Sequence, residues 1–200
     1  MAKFEPAIKL VLKHEGGWVN NPNDAGGATN FGVSLRFLKE HPFDGDFDGD
    51  GDVDIEDIKN MTLDDAKGVY KKFWWDKYGY GAIKDQTLAT KTFDFSINMG
   101  APRAHKLLQQ AMNSAFGLKL TVDGLLGPAS FATLNAVEAD DEGRLLAAYS
   151  NEAMAFYNAI VAAKPSQKVF LNGWKNRAYS INRANSVSEF DGEPIAHHPV

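Results

Sequence analysis

The chain has 200 residues, 44% of them apolar, which suits one globular domain with a sizeable core and excludes the disordered and collagen-like classes. Without cysteine there is no disulfide framework, thiolate metal site or catalytic thiol, so stability must come from packing. The net charge of −5 argues against a nucleic-acid binder, but eight of the 26 acidic residues stand between Asp44 and Asp57 with no basic one, and the other 18 against 21 Lys and Arg leave the rest at +3.

Pro6 suits a first helical turn, and Phe4, Ile8, Val11 and Leu12 recur at helical spacing, which predicts an amphipathic helix over 6–15. Glu15 follows Val11 by four residues and Leu12 by three, so the pattern sets its carboxylate on the buried stripe. The stretch 16–27 is dense in Gly, Asn, Pro and Asp and reads as a tight loop or as short strands joined by turns. Short helices are expected over 35–40 and 55–60, on either side of the acidic segment. Thr62 is a good N-cap for a longer helix with Leu63, Ala66, Tyr70 and Phe73-Trp74 on one face, which puts Trp74 in the core. Helical patterns resume over 86–98 and 102–115, and Gly124, Gly127 and Pro128 mark a turn. Three more helices are expected over 129–137, 142–162 and 167–185, followed by a loosely ordered tail over 186–200. The expected class is mainly α, with a small loop or β region after the first helix. The longest apolar run, 153–163, is too short for a bilayer, so no stable membrane insertion is expected.

The acidic segment has a register of its own. Counted from Asp46, acidic residues occupy positions 1, 3, 5, 7, 9 and 12 (Asp46, Asp48, Asp50, Asp52, Asp54, Asp57), with Gly51 at position 6 and the apolar Val53 at position 8. Ca²⁺ takes six to eight hard oxygen ligands, and this is the EF-hand spacing that supplies them. The expected ligands are Asp46, Asp48, Asp50, Asp52 through its carbonyl, and Asp57, with a water-mediated contact at Asp54. Position 12 departs from the usual Glu, as in the dockerin-type variant of the loop, and only one copy is present. A single copy predicts one structural Ca²⁺ that holds the excursion between residues 35 and 62, rather than a paired sensor.

A glutamate on a buried stripe has its charged form disfavoured and can hold a proton near neutrality, whereas a carboxylate in a polar loop stays ionised. Glu15 and Asp24 form such a pair, with Thr29 five residues further on. They could cleave a glycosidic bond, Glu15 protonating the leaving oxygen while Asp24 steadies the oxocarbenium ion or activates water. On the residues alone, Glu15 can equally be a helix-capping or ion-paired group, Asp24 an acceptor for loop amides, and Thr29 a turn cap. His14-Glu15 is no zinc-peptidase motif, because Trp18 stands where the second histidine belongs. His41, His105, His197 and His198 form no metal-ligand spacing and are read as surface or core residues.

The spelling of 14–33, His-Glu-Gly-Gly-Trp-Val through Asp24 to Gly26-Gly27-Ala28-Thr29-Asn30-Phe31-Gly32, resembles glycoside hydrolase family 108. The similarity extends through Thr62-Leu63-x-x-Ala66 and Tyr70-x-x-Phe73-Trp74. It continues in a stretch similar to the peptidoglycan-binding module that follows this catalytic part. The matching residues there are Phe93-Asp94, Ile97-Asn98-Met99-Gly100, Arg103-Ala104, Lys106, Leu108-Gln109, Val122-Asp123-Gly124, Gly127-Pro128 and Asn172-Gly173-Trp174-x-Asn176-Arg177. The resemblance implies a lysozyme-like helical fold carrying an extra, EF-hand-like calcium loop. It also implies an N-acetylmuramidase of the endolysin type, with Glu15 as catalytic acid and Asp24 and Thr29 completing the set. A lytic transglycosylase, a non-catalytic wall-binding protein and a calcium-switched docking protein are the alternatives.

On this reading residues 1–92 are the catalytic part, with the calcium loop inserted at about 44–57, and 93–185 a peptidoglycan-binding-like part packed into the same globule. The expected partner is the glycan strand of peptidoglycan, bound by a monomer, with Trp18, Trp74, Trp75, Tyr78, Tyr80 and Trp174 available to stack on sugars. Lys175 and Arg177 are read as a solvated helix face. The N-terminus shows no signal peptide, so the chain is expected in the host cytoplasm until a holin-type lesion or another export route releases it to the wall.

Overall fold

The computed structural model describes residues 1–14, 17–18 and 27–181. Among them are nine α-helices and one small sheet: α1 (Phe4–His14), β1 (Thr29–Asn30), β2 (Val33–Ser34), α2 (Leu35–Lys39), α3 (Ile55–Asn60), α4 (Leu63–Tyr70), α5 (Gln86–Met99), α6 (Ala101–Phe116), α7 (Pro128–Ala136), α8 (Glu142–Ala163) and α9 (Leu171–Ser180). The class is mainly α, as the periodicity predicts. None of the described helices is long and apolar enough to cross a membrane.

Local chemistry starts and stops these helices. Thr62 is the N-cap of α4, as its position predicts, accepting the Asp65 amide, and the Asp65 carboxylate in turn accepts the Thr62 amide at 2.8 Å to complete a capping box. Asp85 caps α5 through the Leu88 amide at 2.6 Å, and Gly117 ends α6 in the left-handed conformation. Helix α1 begins at Phe4, two residues before the expected start. The Ala2 amide donates to Ile83, and Lys3 exchanges two hydrogen bonds with Gln86, so the N-terminal segment is tied to the entry of α5.

Helix α5 contacts α1 and α6, α6 contacts α8, and α8 contacts α9. The seam between α1, α5 and the turns that follow α4 is aromatic: Phe4, Trp75, Tyr80 and Phe93 meet edge-on or tilted at centroid separations of 5.4–6.1 Å. Here the sequence expectation for Trp74 is corrected. After Tyr70 the helix widens into a π turn over Lys71–Asp76, which adds a residue to the turn and moves the buried position one place along. Trp75 therefore enters the core at 5% exposure, while Trp74 lies half-buried against Phe37 and Tyr70. The helix expected over 167–185 also divides, into a 3₁₀ segment at Pro165–Phe170 and α9, and its last four positions lie outside the described residues.

Polar side chains on one face of α6 hold the turn that follows it. His105 bonds the Gly124 carbonyl at 3.0 Å, Gln109 reaches Asp123, the Gly124 amide and the Leu125 carbonyl, and Asn113 exchanges two bonds with Leu120. Gln109 and neighbouring amides hold the Asp123 carboxyl below the usual range. Gly124 has φ +83°, and a Cβ there would lie 2.7 Å from the Pro102 carbonyl, so this turn admits no side chain. His105 is a core residue at 2% exposure, its other ring nitrogen 2.8 Å from the Tyr80 hydroxyl.

Lys91 is wholly buried on α5 and donates to the carbonyls of Ala178 and Ile181 at 2.6 and 3.2 Å, closing the C-terminal end of α9. Burial lowers its pKa from 10.5 to about 8, partly offset by Asp94. Between those values the unfolded chain holds a proton that the folded chain has lost, so stability rises with pH. Tyr80, Tyr149 and Tyr157 are shifted the opposite way, upward by burial, so above pH 10 the unfolded chain ionises first and stability falls. The unfolding free energy from urea titrations should therefore peak near pH 10, about 2–3 kcal/mol above its value at neutrality from Lys91 alone. A flat profile from pH 7 to 10 would remove Lys91 as a buried cation.

Candidate functional site

Strands β1 and β2 pair antiparallel, Thr29 opposite Ser34 and Asn30 opposite Val33, around the two-residue turn Phe31-Gly32. Both turn residues have positive φ, +48° and +79°, the geometry that matches the twist of a tight hairpin. Gly32 adopts it freely, whereas Phe31 is a side chain in the left-handed region and needs outside support. Tyr70 supplies it, its hydroxyl donating to the Phe31 carbonyl at 3.0 Å. Asn30 is buried and donates its side-chain amide to the Ile58 carbonyl at 3.0 Å. Thr29, half-exposed, thus sits on a hairpin held from α3 and from α4.

Glu15 and Asp24 lie outside the described residues. Of the aromatic residues available for stacking on sugars, Trp75, Tyr80 and Trp174 are taken by the core at 5%, 0% and 6% exposure. Trp174 is stacked on Tyr157 at 5.0 Å. Trp18, exposed, and the half-buried Trp74 and Tyr78 keep accessible surface.

The acidic loop is organised by its own carboxylates. Asp46 accepts the amides of Gly49 and Gly51 at 2.7 and 3.1 Å, Asp48 that of Asp50 at 3.3 Å, and Asp50 that of Asp52 at 3.0 Å. Gly51 has φ +97°, consistent with the sharp turn expected at position 6. Asp57 is buried at 1% exposure and accepts the amides of Phe47, Asp48 and Asp54 at 2.6, 3.3 and 2.7 Å. With Asp54, which caps the Glu56 amide, it forms the capping box that starts α3.

Two sets of carboxylates, Asp46, Asp48 and Asp50 and then Asp52, Asp54 and Asp57, each bring one oxygen apiece within 4.8 Å of the others. The acidic cluster could hold a metal ion, and its all-oxygen donor set is that of a hard divalent cation. Asp54, where a water-mediated contact is expected, has a carboxylate oxygen within 4.8 Å of those of Asp52 and Asp57. The crowding carries a charge cost. The Asp48 carboxyl is raised by partial desolvation and by its acidic neighbours, and that of Asp52 first by the charge of Asp50.

Arg177, among the motif residues of the second half, is not on the surface. Expected on a solvated helix surface, it is buried at 5% exposure and faces the wholly buried Asp94, Nη1 to Oδ1 3.8 Å, while Lys175 is exposed. Asn98 accepts the Tyr157 hydroxyl at 2.7 Å, and Trp174 lies on the Tyr157 ring. These residues tie α5, α8 and α9 together.

Residues 8–100 match the family model for glycosyl hydrolase 108, and residues 103–179 match the one described as a predicted peptidoglycan domain. Among solved structures the chain is similar to SagA of Brucella abortus, at 24% identity over 92% of this chain and 98% of that one, with a TM-score of 0.65. No curated protein sequence matches.

Proposed function

From the premise that residues 8–100 belong to the glycosyl hydrolase 108 family, so that the chain is a glycosidase of peptidoglycan, we propose how it cuts and what its loop binds. The proposed reaction is hydrolysis of the β-1,4 bond between N-acetylmuramic acid and N-acetylglucosamine, in the manner of an endolysin. Glu15 protonates the leaving oxygen, Asp24 supports the opposite side of the sugar, and Thr29 orders the reacting group from its hairpin. The observation that carries this reading is the hairpin itself, which follows the Glu-Gly-Gly-Trp segment, carries Thr29 and is held by two long-range hydrogen bonds at the adjoining Asn30 and Phe31. The two matched segments meet at α5 and α6, which pack on each other, and this supports one globule rather than a hydrolase with a separate binding domain.

The test is mass spectrometry of the fragments released from purified peptidoglycan. Reducing muramic ends are expected. Anhydro ends would make the chain a lytic transglycosylase, and no release at all would leave a wall-binding protein.

For the acidic loop we propose one Ca²⁺, held by Asp46, Asp48, Asp50, Asp52 and Asp57, with a structural role. It would relieve the mutual repulsion of the carboxylates and lock the loop onto α3. The support is the carboxylate geometry together with the positive φ of Gly51. An ion present at a hundred times its Kd stabilises by about 2.7 kcal/mol, so chelation should lower Tm by about 5–10 °C for a chain of this size. Calorimetry should give a stoichiometry of one, and a Tm indifferent to chelator would reject the site.

A further inference from the structure

Thr29 and Asn30 are neighbours on β1 with different surroundings. Thr29 is half-exposed, whereas Asn30 is buried and spends its side-chain amide on a carbonyl 28 residues away. That carbonyl belongs to Ile58, in the last turn of α3, where a helix leaves its carbonyls without partners of their own. Helix α3 has six residues, too few to hold itself in water, so its order comes from its two ends. One end is built by the acidic loop: Asp54 caps it, and the buried Asp57 gathers the Phe47, Asp48 and Asp54 amides onto it. The other end is held by Asn30. The acidic loop and the residue beside Thr29 are thus both hydrogen-bonded to the same short helix, one at each end. The second tether of the hairpin, Tyr70 on Phe31, comes from α4 and bypasses the loop.

We propose that Asn30 is a positioning residue through which the inserted acidic loop sets the hairpin carrying Thr29. The inference rests on the reading of that hairpin as part of the active site, and it holds whether or not the loop carries an ion. Disorder at Asp57 would loosen α3, and through Ile58 and Asn30 it would shift β1. Displacements of the order of 1 Å at a reacting group are enough to cost about a hundredfold in rate.

Native-state hydrogen exchange on the full chain reads the coupling directly. The amides of 28–35 and 55–61 should open as one unit, with a common dependence on denaturant. Asp57→Asn should accelerate exchange in both segments, and in an Asn30→Leu background it should accelerate only 55–61. Kinetics on soluble glycan strands read the consequence. Asn30→Leu and Asp57→Asn should each lower kcat about tenfold with KM within about twofold, and the double variant should be no slower than the slower single. A hairpin that opens independently of α3, or rate losses that multiply in the double variant, overturns the proposal. Coupled exchange with an unchanged kcat leaves the hydrogen-bond path standing and removes the hairpin from the active site, so the two failures are distinct. Should Asn30→Leu not fold, the wild-type and Asp57→Asn exchange still decide the coupling.

Discussion

Glu15→Gln is expected to abolish lysis while leaving the fold in place. The amide is isosteric with the carboxyl but has no proton to give to the leaving oxygen, and loss of a general acid slows a reaction by about 10²–10⁴-fold. The substitution follows α1, whose buried residues Ala7, Ile8 and Val11 anchor it independently of position 15. Tm should therefore stay within a few degrees of wild type, since the amide keeps the volume of the carboxyl and volume-conserving changes cost little. Turnover on soluble glycan strands, measured beside thermal melts of both proteins, separates the two effects. Activity near that of wild type would remove Glu15 as the acid. A large fall in Tm would instead assign it a structural role, as a capping or ion-paired residue.

Breaking the Asp94–Arg177 pair should cause the largest loss of stability. Both side chains are buried, 83 positions apart in sequence, and their charged groups face each other at 3.8 Å between α5 and α9. Taking ions out of water is costly, and each is tolerated inside because the other is there. Arg177→Met leaves the buried Asp94 carboxylate with Lys91 as a cation that still acts on it, and breaking one side of a buried ion pair typically costs about 3–5 kcal/mol. That corresponds to about 6–20 °C in Tm at this chain length. The double variant Asp94→Leu, Arg177→Met should recover most of the loss, because an apolar pair of similar volume is often as stable as a buried ion pair. Urea denaturation of the single and double variants forms a cycle that isolates the coupling. Single losses below about 1 kcal/mol, or no recovery in the double, would show that the pair does not hold α9.

The pair also explains a sequence pattern. Phe93-Asp94 and Trp174-x-Asn176-Arg177 are among the residues that carry the peptidoglycan-module resemblance, and an Arg beside a Trp invites reading as a glycan-binding face. In the structure Asp94 and Arg177 neutralise each other, and Trp174 lies flat on Tyr157. The motif therefore records a packing requirement between helices. The same holds for Val122-Asp123-Gly124, where Asp123 and Gly124 are bound by Gln109 and His105.

Local pattern determined the helices, their caps and the acidic loop. Helical periodicity, the Thr62 cap and the acidic register at positions 1, 3, 5, 7, 9 and 12 act between residues a few positions apart, so their geometry follows from the spelling alone. Glu15 and Asp24 are legible in the same way, as a motif, and their placement lies outside the described residues. Only the tertiary structure decided which of two adjacent tryptophans is core, because a π turn after Tyr70 shifts the buried face by one residue. Only it could pair Asp94 with Arg177, and Asn30 with Ile58. Those contacts join segments 83 and 28 residues apart, and no spacing rule relates them. They form because burial requires a partner for each charge and amide, and the packing of the helices decides which partner is within reach.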